Sequence, residues 1–253
     1  MNSINIISGG FCILAKCNDK SVLKSISKNF GLFVTKKPVP DFIINLTIGH
    51  SISYGKWKLD YKRNICTIQI KKYDKATFLW VLRIIFSIVC YKNNAILLHS
   101  AAVISKRKAY VFCGPPEAGK STISSLSYGL TLLNDDYVII KKINAKFTVF
   151  GTILGGEYLK YKKILKPNNA AAKINKIFFI RQASKHRIEK KSQTDAMQEL
   201  LKEVFYYHDG SKQSNKLIES NFNMVYNLCK GVDLYNLYFQ KNSGFWKEIE
   251  KLR

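Results

Sequence analysis

Residues 111–122 read VFCGPPEAGKST, and this stretch decides the fold. Gly114, Gly119, Lys120 and Ser121 satisfy the pattern G-x-x-x-x-G-K-[ST] in full. An apolar strand expected over Ala109–Cys113 enters the loop, and a helix expected over Lys120–Tyr128 leaves it. In that setting the glycines let backbone amides curl around phosphate oxygens, and the helix N-terminus adds a favourable dipole. The lysine reaches the β and γ phosphates, and the serine hydroxyl ligates Mg²⁺. The nucleotide-binding residues expected are therefore Gly114, Pro115, Pro116, Glu117, Ala118, Gly119, Lys120, Ser121 and Thr122, with ATP and Mg²⁺ as ligands. Pro115 and Pro116 supply no amide donors, and a Glu117 carboxylate near the phosphates would be unhelpful unless it points to solvent. The plain alternative is a glycine-rich turn before a helix.

Outward from the loop, LLNDDYVII brings paired carboxylates, Asp135 and Asp136, to the mouth of a strand. One can hold Mg²⁺ directly or through water while the other takes a proton from an attacking hydroxyl. An Asx-type turn is the structural alternative. His99, in LLHSAAV, ends the apolar strand before the loop strand, where a histidine serves either as a hydrogen-bonded core residue or as a catalyst. Arg181, closing KIFFI, is either a surface cap or a charge for a transferring phosphoryl group.

From Ala95 onward apolar strands alternate with helices, the pattern of a layered α/β domain. The strands expected are AILLHSAAVI, KAYVFC, YVIIKK, KFTVF, KIFFI and VDLYNLYFQ, with helices over Thr194–Phe205, Lys212–Lys230 and Gly244–Lys251. Residues 182–192 and 206–212 are expected as exposed connections. Residues 1–92 form a small α+β domain with strands over Asn5–Ala15, Asp41–Ile48, Lys56–Tyr61 and Cys66–Ile70, a helix over Ser21–Asn29, and a second helix at 76–91. The division expected is thus 1–92 and 93–253.

The chain has 253 residues, 41 of them Lys or Arg, and a formal charge of +24. Such a charge attracts polyanions. Only Arg63, Arg83, Arg107, Arg181, Arg187 and Arg253 are arginines, however, and the lysines form no stripe interleaved with aromatics. The reading favoured is a solvated Lys-rich surface with no nucleic-acid site; an acidic protein or peptide partner is the third reading. The six cysteines show no C-x-x-C spacing and the four histidines are scattered, so reduced core thiols of a cytoplasmic protein are expected and a zinc site is not. ATFLWVLRIIFSIVCY, residues 76–91, is short for a bilayer and carries Arg83 in its middle, which favours a buried helix over a membrane span. No export signal is apparent.

The run LLHSAAVISKRKAYVFCGPPEAGKST followed by LLNDDYVII resembles the catalytic domain of the HPr kinase/phosphorylase family, and more closely its shorter relatives found beside peptide-modification genes, which include kinases of lasso-peptide precursors. The closing DLYNLYFQKNSGFWKEIEKL resembles the strand-then-helix ending of those relatives. The resemblance implies an HPr kinase-like P-loop domain with a mixed sheet, preceded by the small α+β domain. It implies an ATP- and Mg²⁺-dependent kinase whose acceptor is a hydroxyl, foremost a serine of a peptide or small protein. On this likeness His99 is the family's histidine, Lys120 its loop lysine, Ser121 its magnesium-binding hydroxyl, Asp135 its catalytic base and Asp136 its metal ligand. FGTILGGEYLKYKK lacks the family's Arg-Gly-containing signature, which speaks against a phosphorylase activity; it leaves Glu157 as a further metal-ligand candidate and Lys160, Lys162 and Lys163 as residues facing phosphate, an acidic substrate or solvent. A nucleotide-driven switch or ATPase, a kinase of a small metabolite, and assembly of identical copies stay open.

Overall fold

A computed structural model describes residues 2–36, 39–49, 56–60, 62–155, 169–208 and 212–252. Among the described residues the chain builds two mixed sheets and six α-helices. The first sheet holds β1 (Asn2–Ser8), β2 (Phe11–Cys17), β3 (Val34–Thr35), β4 (Phe42–Ile48), β5 (Lys56–Asp60) and β6 (Ile65–Ile70), in the order β3-β1-β2-β4-β6-β5. Helix α1 (Lys20–Phe30) starts where the Asp19 carboxylate accepts the Ser21 amide at 2.7 Å, and it turns Val22, Leu23, Ile26 and Phe30 into the core.

The single strand expected over Asn5–Ala15 is instead the β1–β2 hairpin. Ser8 pairs with Phe11, and Gly9 and Gly10 fill the two-residue turn with φ of +63° and +80°. A tight turn with two left-handed positions selects Gly-Gly, so the signal was present between the two apolar runs. The hairpin tip is stitched to the second sheet: the Gly9 amide donates to the Gly151 carbonyl at 2.9 Å, and the Ile153 amide donates to Ser8 Oγ at 2.8 Å. A Cβ on Gly9 would lie 2.2 Å from Ile139 Cδ1. Gly9→Ala is therefore expected to lose about 1–2 kcal/mol from the left-handed backbone alone, with the clash in addition. Urea denaturation reads this, and an unchanged midpoint would refute it.

Helix α2 (Lys75–Lys92) begins at Asp74, which accepts the Thr77 amide at 2.8 Å. Consecutive residues from Ile84 to Cys90 are buried, so the helix is apolar around most of its circumference, as a core helix must be. One core joins Ile6, Ile13, Phe42 and Ile44 of the first sheet to Leu82, Ile85 and Phe86 of α2 and on to Leu97 and Ile139 of the second. Among the described residues no helix is long and apolar enough to cross a membrane.

The second sheet follows. Its elements are β7 (Ala95–His99), β8 (Ala101–Ser105), β9 (Lys108–Cys113), α3 (Lys120–Leu126), β10 (Thr131–Asn134), β11 (Tyr137–Ile143), β12 (Lys146–Phe150), β13 (Ala171–Gln182), β14 (Arg187–Lys190), α4 (Gln193–Glu203), β15 (Val204–Phe205), α5 (Lys212–Gly231), β16 (Asp233–Phe239) and α6 (Phe245–Lys251). The order is β10-β8-β9-β13-β12-β11-β7-β15, with β16 on β13 and β14 on β16. The twelve-residue β13 begins against β12 and then runs parallel to both β9 and β16.

Alternation along these parallel strands feeds two cores. Val111, Cys113, Ile177, Phe179 and Leu234 face α4 and α5, while Phe112, Phe178, Ile180, Leu237 and Phe239 face α3 and α6. Burial on both faces is why β9 and β13 read as continuous apolar runs. Two expectations are corrected here. AILLHSAAVI breaks at Ser100 into β7, which pairs with β11 and β15, and β8, which pairs with β9 and β10; no Gly or Pro marks the break. Within residues 182–192, expected as a connection, Arg187–Lys190 is an edge strand held by backbone pairing to β16, and its polar side chains gave no alternation to read.

Candidate functional site

The loop 114–119 leaves the C-terminal end of β9 and enters α3 at Lys120. Its shape depends on backbone that L-residues resist. Gly119 has φ +107°, and a Cβ there would meet Phe239 Cζ at 2.7 Å. Glu117 has φ +66°; its side chain is exposed, and its carbonyl accepts Gln182 Nε2 at 3.0 Å. Pro115 does not donate but its carbonyl accepts the Ala118 amide at 3.2 Å, closing the turn.

Lys120 folds back over the loop. Its Nζ donates to the Gly114 carbonyl at 2.6 Å and the Pro115 carbonyl at 3.2 Å, and the residue is buried. Burial pulls its pKa below the ordinary 10.5, against the attraction of Glu203, Asp136 and Asp135. Ser121, one residue on, donates from Oγ to Asp135 Oδ2 at 3.2 Å.

Asn134 fixes both aspartates. Its side-chain amide donates to the Thr152 carbonyl at 2.8 Å and to Thr152 Oγ1 at 3.1 Å. Its Oδ1 accepts the backbone amides of Asp135 at 2.8 Å and Asp136 at 2.9 Å. The Asx turn weighed from the sequence is therefore present, but Asn134 makes it. Both carboxylates are left to other partners. Asp135 is buried beside Ser121, and Asp136 takes a different set: Arg83 Nη2 at 3.2 Å and His99 Nε2 at 3.4 Å. Burial raises the Asp136 pKa above the usual 3.8, with Arg83 and His99 opposing the rise.

His99 carries a carboxylate at each ring nitrogen, since Glu203 Oε2 lies 3.0 Å from Nδ1. Tyr137 lies 5.1 Å from the His99 ring, and the Arg83 guanidinium stands 4.8 Å over the Tyr137 ring. Burial, reinforced by Asp136, raises the Tyr137 pKa. A cleft of about 480 Å³ opens onto His99, Pro116, Lys120, Ser121, Asp135 and Asp136.

The described structure thus gathers His99, Lys120, Ser121, Asp135 and Asp136 around one cleft. Arg181 lies elsewhere, paired with Glu199 at 3.1 Å. Glu157, Lys160, Lys162 and Lys163 lie outside the described residues. Sequence reasoning missed Asn134, Thr152 and Glu203, and it used Arg83 only to argue against a membrane span. A lone arginine in an apolar helix was the available signal, because a buried cation needs a partner. Glu203, at the end of α4 and remote in sequence from every motif, left none.

The residues present suit a small hard cation. Ser121 Oγ and Asp135 Oδ2 are adjacent oxygen donors, and Mg²⁺ is held by one or two carboxylates with phosphate and water completing its shell. No group of three or more His, Cys, Asp or Glu side chains able to hold a metal occurs among the described residues.

Comparison with curated proteins gives no match. Among solved structures, the Hpr(Ser) kinase/phosphatase from Coxiella burnetii is similar at 11% identity over 57% of this chain and 85% of that one, with a TM-score of 0.29; a likeness of this size carries no argument. The family model of the SynChlorMet cassette protein ScmC matches residues 64–253, from the start of β6 through α2 and the whole second sheet to the last helix. The chain belongs to the family of the SynChlorMet cassette protein ScmC.

Proposed function

We propose that the protein is an ATP- and Mg²⁺-dependent phosphotransferase that passes the γ-phosphoryl group to a hydroxyl, with a serine of a peptide or small protein as the acceptor. The observation that carries this reading is the convergence of Lys120, Ser121, Asp135, Asp136 and His99 on one cleft. The acceptor follows from the HPr kinase-like motif run alone.

In the mechanism, the loop backbone and Lys120 hold the triphosphate. Ser121 and Asp135 would bind Mg²⁺, which supplies charge neutralisation for the phosphates. The acceptor oxygen bonds to the γ-phosphorus, the bond to the β-bridging oxygen breaks, ADP leaves, and the hydroxyl proton passes to Asp136. Arg83 orients Asp136, and His99 links it to Glu203. This exchanges the roles that the family resemblance gave the two aspartates. The contacts favour the exchange: the carboxylate beside the loop hydroxyl is Asp135, whereas the one with the raised pKa, a property suited to a base, is Asp136. Positioning and charge do most of the work.

A ligand bound only by the native state raises the melting temperature. Millimolar Mg-ATP is therefore expected to shift it upward, with a smaller shift when EDTA replaces Mg²⁺. Labelled γ-phosphate should then appear on a serine peptide in excess over free phosphate. No thermal shift would overturn nucleotide binding, and hydrolysis that no hydroxyl acceptor diverts would replace the kinase with an ATPase.

A further inference from the structure

At the edge of the second sheet opposite the loop, where β9 and β16 begin, a cavity of about 440 Å³ has Lys108, Lys173, Lys190, Lys191, Lys230 and Asp233 among its lining residues. Charge does not balance there. Asp233 is shared by Lys190 at 2.5 Å and Lys176 at 3.6 Å, and Glu199 is shared by Lys191 at 2.9 Å and Arg181 at 3.1 Å. Lys108, Lys173 and Lys230 have no carboxylate within ion-pair distance among the described residues. The buried Lys191 on the cavity wall and Lys176 beside it are the paired ones, whereas Lys108, Lys173 and Lys230 are exposed and their charge is left uncompensated. Anionic groups placed among these three lysines would lower their mutual repulsion.

Helix α5 supplies a second, independent feature. Ile218, Phe222 and Tyr226 are 40%, 50% and 44% exposed and recur every fourth residue, on one face. The next residue of that series is Lys230, whose Nζ stands 4.4 Å over the Tyr226 ring and which also lines the cavity. The apolar stripe therefore meets the lysine cavity where Lys230 lies over Tyr226.

We propose that the cavity and the α5 stripe form one docking surface for an acidic peptide segment that also carries apolar side chains. A small anion would satisfy the lysines and leave the stripe bare. A nucleic acid would meet Ile218 and Phe222 with a phosphate backbone, whereas an amphipathic peptide covers an apolar helix face and presents carboxylates beyond it. The surface lies away from the phosphate loop and stands without the proposed phosphoryl transfer.

The test uses the full chain and a fluorescein-labelled peptide of repeating Glu-Leu-Leu-Glu units, read by anisotropy, with a Lys-Leu-Leu-Lys peptide, tripolyphosphate and oligothymidylate as comparisons. Saturable binding of the acidic peptide, absent for the basic one and weakened by salt, is expected. Lys108→Glu with Lys173→Glu should weaken it about tenfold or more, and Phe222→Ala with Tyr226→Ala should weaken it comparably. Circular dichroism melts identify any variant that fails to fold; for such a variant, Lys108→Gln with Lys173→Gln or Phe222→Ser replaces it. Unchanged affinity in the charge variants overturns the proposal. So does tighter binding of oligothymidylate through the same lysines, which makes the face a nucleic-acid site. Indifference to the α5 substitutions, with full competition by tripolyphosphate, makes it a small-anion pocket and overturns the proposal as well.

Discussion

Lys120→Ala is expected to leave the protein folded and to reduce phosphoryl transfer by on the order of a thousandfold or more, the scale seen when one preorganised charge is removed from a developing anion. The fold should survive because, among the described residues, the ammonium donates to the Gly114 and Pro115 carbonyls and packs into none of the three cores. The sign of the stability change follows from titration. Lys120 holds its proton less tightly in the folded state than the ordinary 10.5, so its charge costs stability at every pH below the depressed folded value. The cost fades as pH rises through that value towards the unfolded one. At neutral pH, Lys120→Met should therefore hold or raise the melting temperature while transfer is lost. Undiminished transfer in a folded variant would remove the loop from the chemistry, and a collapse of the melting temperature would make its role structural.

The two aspartates should separate just as sharply. Asp135→Asn removes an anionic oxygen beside Ser121, so nucleotide affinity should fall and recover in part at higher Mg²⁺. Asp136→Asn keeps the shape but cannot take the hydroxyl proton. Nucleotide binding should persist while transfer drops by about 10²–10⁴-fold. The wild-type rate should also fall on the acid side, because the base must be ionised, and it should fall at a higher pH than an ordinary carboxylate near 3.8 would dictate. Calorimetry beside labelled transfer reads both variants. Binding lost in Asp136→Asn and kept in Asp135→Asn would restore the order that the family resemblance implies.

Much of this site could be read in advance because its signals are local. The glycine spacing, Lys120, Ser121 and the paired aspartates lie within one strand–loop–helix unit and the strand after it. The expected helices at 21–29, 76–91, 194–205 and 212–230 match α1, α2, α4 and α5 to within a residue or two, since each combines a cap or breaker with an apolar face. Non-local contacts were not legible. The Ser100 break depends on which neighbours β7 and β8 find, and β14 is a strand only because β16 lies beside it. Glu203 reaches His99 from a helix end more than one hundred residues away in sequence, and nothing in its own neighbourhood announces that contact.

Arg83 has a wider consequence. It projects from α2, a helix most of whose residues pack into the core shared with the first sheet, and it ends on a carboxylate of the cleft. The opening ninety residues therefore supply a charge to the cleft itself. A recombination event that exchanged the opening segment for a foreign one would remove the cation at Asp136 and the cover over Leu97 and Ile139 in a single step. Only a donor that brought its own arginine to the same turn of an equally apolar helix would be retained. Substitutions near this boundary should accordingly drift in concert rather than singly.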